Sequence, residues 1–259
     1  MKMFVSERRN KILELLKEKN RLTVKELALN IDVSEATLRS DLNILESEDL
    51  LTRTHGGAIL NDQISYGTSF SVREKRNQKE KMLIAEEAIK FVEEKQCILL
   101  DASSTALELA HQLKHTNIRL TVVTSGVRAA LELNENPNIT VILIGGMMTK
   151  RSSSIEGKMG LSILDQVNID MMFTSASGFT PETGLTDFNL YEVELKQELV
   201  KRSKMVIALV DKSKINTNSS AVFAKTEQIN TIITDAKLEV EFSNSLSNFD
   251  VQVIEVDIN

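Results

Sequence analysis

Residues 33–46, VSEATLRSDLNILE, set Ser34, Thr37, Arg39, Ser40 and Asn43 on one side of a helical period and Leu38, Leu42 and Leu45 on the other. Hydroxyls, a guanidinium and a carboxamide at that spacing can bond base edges and phosphates in a DNA groove. Arginine pairs with guanine or phosphate, asparagine with adenine, and serine or threonine with either kind of acceptor. Arg53 and His55 follow shortly in RTHGGAIL, near enough to approach the same backbone. Solvent alone would select a similar polar face on many helices, so its meaning depends on what flanks it.

A second group of polar and glycine-rich segments follows apolar runs: DASST at 101–105, TSG at 124–126, GG at 145–146, SASG at 175–178 and DKSK at 211–214. In a parallel sheet the carboxyl ends of the strands share one rim, which is where α/β proteins place ligands. Candidate ligand contacts are therefore Asp101, Ser103, Ser104, Thr105, Thr124, Ser125, Gly126, Gly145, Gly146 and Gly178. Ser103, Ser104 and Thr105 open the helix-like TALELAHQL, whose free amides and dipole favour an anion such as phosphate. Lys212 or Lys214, with Lys150 or Arg151, would neutralise its charge. Small polar residues also cap helices, but five such loops on one edge form a ligand-binding pattern.

Other chemistries find little support. No G-x-G-x-x-G or P-loop string occurs, which argues against nucleotide-dependent catalysis. His111 and His115 have i, i+4 spacing without a third ligand, so a surface pair is expected and no metal or cofactor. The single cysteine, Cys97, lies in the apolar run CILLD and reads as a buried structural thiol. A net charge of -6 excludes bulk attraction to polyanions. The first 60 residues hold ten Lys or Arg against ten Asp or Glu, so DNA contact must come from local placement of cations. No run approaches the roughly 18 apolar residues of a membrane span, and the N-terminus lacks the apolar core of a signal peptide, so a cytoplasmic location is expected.

The elements that must position these groups are legible in the periodicity. Residues 6–19 carry Ile12, Leu15 and Leu16 at helical spacing. Thr23 and Glu26 have the spacing of a capping box for a short helix with Val24, Leu27, Ala28 and Ile31 as its apolar stripe. A tight turn leads to Ser34 as the cap of a third helix, and LLTRTHGGAILN reads as a hairpin turning at Gly56 and Gly57. That order predicts a winged helix-turn-helix over 1–60. Residues 61–78 read as a polar linker, with a helix starting near Lys79. From 79 to 259, apolar strand-like runs alternate with amphipathic segments, which predicts a mostly parallel α/β domain covered on both faces.

The stretch from ERRNKILELL to RTHGGA, with VSEATLRSDL within it, closely resembles the winged helix of DeoR-family transcriptional regulators, whose pattern is V-S-x-x-T-[IL]-R-R-D-L followed by R-x-H-G-G-A. DASST, TSG, IGG and DKSK are similar to the family's sensor domain, which is itself similar to ribose-5-phosphate isomerase and glucosamine-6-phosphate deaminase. The resemblance implies DNA contact by Ser34, Thr37, Arg39 and Ser40, with Arg53 and His55 of the wing near phosphates. It also implies a phosphorylated sugar or sugar alcohol as effector, binding at the rim. A repressor of carbohydrate uptake or catabolism genes is expected, acting on double-stranded operator DNA as a homodimer or higher homo-oligomer. Ser40, Asp49, Ser103 and Ser125 depart from the family pattern, and Ser103 in place of glycine narrows the expected phosphate cradle. The rival reading is a sugar-phosphate isomerase or deaminase, with Asp101, Glu182 or Asp187 as general base.

Overall fold

Thr23 opens its helix as the spacing with Glu26 dictates. Its hydroxyl accepts the Glu26 amide at 3.2 Å, while the Glu26 carboxylate accepts the Thr23 amide at 2.8 Å. The Thr23 amide and, at 2.7 Å, its hydroxyl donate to the Glu26 carboxylate and hold that carboxyl below its ordinary pKa range. The computed structural model in which this is seen describes residues 5–19, 21–47, 51–54, 56–60, 70–148 and 153–257. The chain divides into two units, residues 1–73 and 74–259.

The first unit runs α1 (Val5–Lys19), β1 (Arg21–Thr23), α2 (Val24–Ile31), α3 (Glu35–Ser47), β2 (Leu51–Thr54) and β3 (Gly57–Leu60). One apolar cluster holds it together, including Ile12, Leu16, Leu27, Leu38, Leu42 and Leu45, each no more than 1% exposed. α2 stops at Asp32, whose backbone is left-handed (φ 58°), and α3 begins three residues later. β1 joins the hairpin as a third antiparallel strand, in the order β1-β3-β2. Three residues cannot display a period, so this strand was not legible in the sequence. Gly57 is needed for closeness rather than for turning. A Cβ there would lie 2.1 Å from the Leu22 carbonyl oxygen of β1.

Residues 70–75, inside the stretch read as linker, form the helix α4 (Phe70–Lys75), with Phe70 and Val72 buried. Six residues make fewer than two turns, too few to show helical periodicity. Residues 61–69 of that stretch lie outside the described residues.

The second unit continues with α5 (Gln78–Ala88), β4 (Cys97–Leu100), α6 (Ser104–Leu113), β5 (Leu120–Thr124), α7 (Val127–Leu133), β6 (Ile139–Leu143), β7 (Ile169–Thr174), β8 (Gly178–Thr180) and β9 (Gly184–Asp187). It closes with α8 (Leu190–Arg202), β10 (Ser203–Leu209), β11 (Ala221–Ala224), β12 (Thr231–Thr234), α9 (Val240–Ser247) and β13 (Gln252–Glu255). The apolar runs CILLD, LTVVT, TVILIGG, DMMFTSASG, KMVIALVD, TIITD and VQVIEV become a seven-stranded sheet in the order β13-β12-β10-β7-β4-β5-β6, and every neighbouring pair is parallel. Ile98, Leu99 and Leu100 of β4 are all 0% exposed. Because successive side chains point to opposite faces, such a run is buried on both.

β4, the first strand of this unit, lies inside the sheet. The chain grows outward from it through β5 and β6 on one side and through β7, β10, β12 and β13 on the other. The order therefore reverses between β4 and β7, the position at which open α/β sheets form a ligand crevice at their carboxyl ends. A small antiparallel sheet, β11-β9-β8, accompanies the large one. Its short strands come from FTPETGLTDFN and AVFA, where turn residues mask the alternation.

Candidate functional site

The polar face of α3 is a set of mutually bonded side chains. Ser34 accepts the Thr37 amide at 3.2 Å and lies 2.9 Å from its hydroxyl, capping the helix. Arg39, four residues after Glu35, donates from Nη2 to its carboxylate at 3.0 Å. Asn43 accepts a hydrogen bond through its carbonyl oxygen from the guanidinium of Arg53 on β2, while the Arg53 amide donates to Glu46 at 3.0 Å. A bidentate adenine contact by Asn43 would therefore require Arg53 to let go. The Nε of Arg53 is buried without a hydrogen-bond partner. Ser40 is exposed on the same helix; His55 lies outside the described residues.

Sequence reasoning did not single out Asp41, which holds this face in place. It is 2% exposed and receives Arg8 and Arg9 of α1, the latter at 3.1 Å. Burial alone would raise its pKa, but the two guanidinium groups outweigh that and hold it below the ordinary value. An acid with no apolar role thus anchors α1 to α3.

In the second unit the sheet's order reversal is filled by buried polar groups. Asp101, at the end of β4, accepts the Ser103 amide on Oδ1 at 2.9 Å. Its Oδ2 accepts the Thr174 hydroxyl at 2.7 Å and the Ser175 amide at 3.0 Å, and pairs with Lys196 at 3.1 Å. Lys196 reaches in from α8 and donates also to the Ser175 carbonyl at 2.8 Å and to Asp187 at 2.9 Å. Its ammonium sits 4.6 Å from the ring centre of Phe223. Desolvation pushes the Lys196 pKa down, but Asp101, Asp187 and Glu192 together raise it well above the ordinary lysine value. All three of its donors are engaged, so it is a fixed cation rather than a nucleophile.

The predicted loops after β4 and β7 meet at this hub. Ser103 caps α6 through the Ala106 amide at 3.1 Å, and Thr105 lies 3.5 Å from the Ser175 hydroxyl. Thr124, Ser125, Ser103, Ser104 and Thr105 are all buried. Ser125 and Gly126 of the β5 loop pair with residues 153–155, which continue to a bridge between Met147 and Glu156 just past Gly145 and Gly146. Ser154 donates to Glu192 at 2.9 Å, tying that segment to α8. Gly178 is the first residue of β8, where a Cβ would lie 2.4 Å from the Thr217 carbonyl oxygen, so close backbone approach explains it. Lys150 and Arg151 lie outside the described residues. Lys196 and Glu192 escaped sequence reasoning because YEVELKQELVKR reads as an ordinary charged helix; Asp187 was considered only as a general base.

Lys212 stands at the end of β10, 57% exposed, with its ammonium 3.9 Å from Glu80 and 3.8 Å from Asp235. Asp211 caps the turn that follows by accepting the Ser213 amide at 2.9 Å, and it takes a further bond from Asn77 at 3.0 Å. The Asp235 side chain is fully buried, and its Oδ2 has no hydrogen-bond partner. Burial first, and then the charge of Asp211, raise its pKa. A raised folded-state pKa adds stability below the unfolded value and loses it as pH rises through the folded one. Asp235→Asn is therefore expected to stabilise this unit at pH 7, the gain shrinking as pH falls toward 4. Urea melts across that range would detect it; a less stable variant at pH 7 would show that the charge is compensated.

Catalytic alternatives fare poorly in this geometry. Asp101 has its acceptor sites occupied, Asp187 is bound to Lys196, and Glu182 is exposed in the turn between β8 and β9. Cys97 is half-buried with its pKa raised by burial, which disfavours the thiolate. Among the described residues no group of three or more His, Cys, Asp or Glu is placed to hold a metal, and no helix is long and apolar enough to cross a membrane.

Each of the two units matches a known protein family. Residues 8–64 match the DeoR-like helix-turn-helix domain and residues 76–236 the DeoR C terminal sensor domain. The HTH-type transcriptional regulator GolR of Listeria innocua is 48% identical over 91% of this chain and 92% of its own. The HTH-type transcriptional regulator GlpR of Haloferax volcanii is 31% identical, covering 98% of both chains. The glycerol-3-phosphate regulon repressor of Escherichia coli is 29% identical over 96% of this chain and 98% of its own. Ribose 5-phosphate isomerase A of Methanocaldococcus jannaschii aligns over 54% of this chain and 55% of its own, with a TM-score of 0.42 and 19% identity. Full-length relatives named as regulators, and family matches over both units, place the protein with regulators rather than enzymes: the chain is a DNA-binding transcriptional regulator and belongs to the DeoR family.

Proposed function

We propose that this regulator represses genes of carbohydrate uptake or catabolism and is released from operator DNA when a phosphorylated sugar or sugar alcohol binds the rim of its α/β sheet. On this reading Ser34, Thr37, Arg39, Ser40 and Asn43 face the major groove, and Arg53 and His55 face phosphates. The effector meets the loops after β4, β5, β6 and β7, with Asp101 acting as the organiser of those loops because its oxygens are already taken. Lys212, and Lys150 with Arg151, supply positive charge toward the phosphate. Reading two half-sites calls for two-fold symmetry, so a homodimer or higher homo-oligomer is the working form.

The observation that supports this reading is that the polar loops after β4 and β7 meet where the strand order reverses, around a lysine whose donors are all engaged. A relative named for a sugar-alcohol phosphate regulon supports the effector class. The test is thermal unfolding of the full chain with glycerol 3-phosphate, fructose 6-phosphate, ribose 5-phosphate and glucosamine 6-phosphate, each beside its unphosphorylated counterpart. A ligand at a hundred times its Kd stabilises the bound state by about 2.7 kcal/mol. One phosphorylated compound is expected to raise the melting temperature while its counterpart does not. Equal shifts from both members of a pair would remove phosphate recognition from the proposal, and turnover of a sugar phosphate would restore the isomerase alternative.

A further inference from the structure

We infer that Glu35 is a specificity-determining residue of the reading helix: it holds Arg39 as a neutral pair that accepts a guanine edge and rejects phosphate. The inference rests on the reading of α3 as the groove-facing helix. Glu35 is the first residue of α3 and Arg39 lies one turn on, joined to it at 3.0 Å through Nη2 alone. Both side chains are about half exposed, so the pair stands on the surface that would meet DNA rather than in the core. The carboxylate is also well placed by the helix dipole, which favours a negative charge in the first turn.

A guanidinium has five N–H donors, and one bond to Glu35 leaves enough for the two-donor contact with guanine O6 and N7. Those acceptors are uncharged, so the adjacent carboxylate costs little when Arg39 takes them. A phosphate is an anion, and next to Glu35 it meets repulsion that cancels much of what Arg39 offers. The pair therefore penalises the sequence-independent contact and spares the sequence-dependent one. The rest of the unit is built in the same sense, with ten cations balanced by ten acids in the first 60 residues. Such a domain gains little from bulk electrostatics, and discrimination depends on where each cation is allowed to bind.

The experiment uses the full chain, a random-sequence duplex, and a duplex recovered by selection from a random library with the unsubstituted protein. Glu35→Gln is expected to raise affinity for the random duplex several-fold. It should also steepen its log-affinity against log-salt slope by about 0.9, the value for one added phosphate contact. Affinity for the selected duplex should rise less, so the ratio between the two falls. In the double variant Glu35→Gln with Arg39→Ala the gain on random DNA should vanish, because it acts through Arg39. An unchanged slope in Glu35→Gln, or the same gain in the double variant, would overturn the inference. The groove reading is tested separately: if Arg39→Ala protein selects the same sequence as the unsubstituted chain, α3 is not reading through Arg39, whatever Glu35 does.

Discussion

Lys196→Ala is expected to destabilise the sensor unit by about 3–5 kcal/mol, the usual consequence of removing one partner from a buried ion pair. The loss is larger than that of a surface charge because Lys196 and both partners are shielded, with side-chain exposures of 8%, 0% and 2% for Lys196, Asp101 and Asp187. Without the ammonium, two carboxylates face each other in a site from which water is excluded. The Ser175 carbonyl also loses its donor, and the contact over Phe223 disappears. Urea melts of the full chain should show an earlier transition for the second unit. The pH dependence should also move into the neutral range. In the unsubstituted protein the lysine's folded pKa is raised above its unfolded value, so its contribution is fully present at all pH values below the ordinary lysine range. In the variant, the stranded acids acquire raised folded values instead, and stability should recover as pH is lowered from 7.5 to 5. Replacing all three residues, as Lys196→Met with Asp101→Asn and Asp187→Asn, should recover part of the loss at neutral pH. A variant that melts like the original at pH 7.5 would mean that the cluster is hydrated and the hub is not structural.

How much of this was legible in the sequence depends on the range of the interactions involved. The strand runs and the helices of the first unit follow local periodicity, so CILL, LTVVT and IDMMFT became strands and Leu38, Leu42 and Leu45 turned inward. The capping box of Thr23 and Glu26 is set by three-residue spacing and formed as read. The loops of the rim were legible too, because a polar segment after each apolar run is a local signal. What holds those loops is not local. Lys196 lies 95 positions after Asp101 in the chain, in a helix whose other charges are at least partly exposed, and no local signal announces the partner it reaches. Asp41 is similar: within RSDLNILES it looks like one more polar position, and only the approach of α1 gives it Arg8 and Arg9. The short elements β1, β8, β9 and α4 escaped for a different reason, since three to six residues carry too little pattern to outweigh the turn residues around them.

Arg39→Ala is the change expected to act most strongly on DNA recognition. Loss of a bidentate guanine contact costs about 1–3 kcal/mol, or roughly fivefold to 160-fold in affinity for the selected duplex. The fold should be untouched, because the side chain is 59% exposed and alanine favours a helix more than arginine does. Two features of the structure sharpen the expectation. Glu35 would be left as an unpaired carboxylate at the groove, so the loss should exceed that of Arg39→Ala made together with Glu35→Ala. Arg53, by contrast, already bonds Asn43 and stands on the wing, where the proposed contacts are to phosphates. Arg53→Ala should therefore weaken random and selected duplexes alike and reduce the salt slope by about one. Arg39→Ala should instead flatten the preference at one base pair of each half-site, weakening the selected duplex more than the random one. Titrations of both variants against both duplexes at several salt concentrations separate the two roles. If Arg39→Ala lowers affinity equally for every sequence, Arg39 is a backbone contact, and base reading must be sought at Thr37, Ser40 and Asn43.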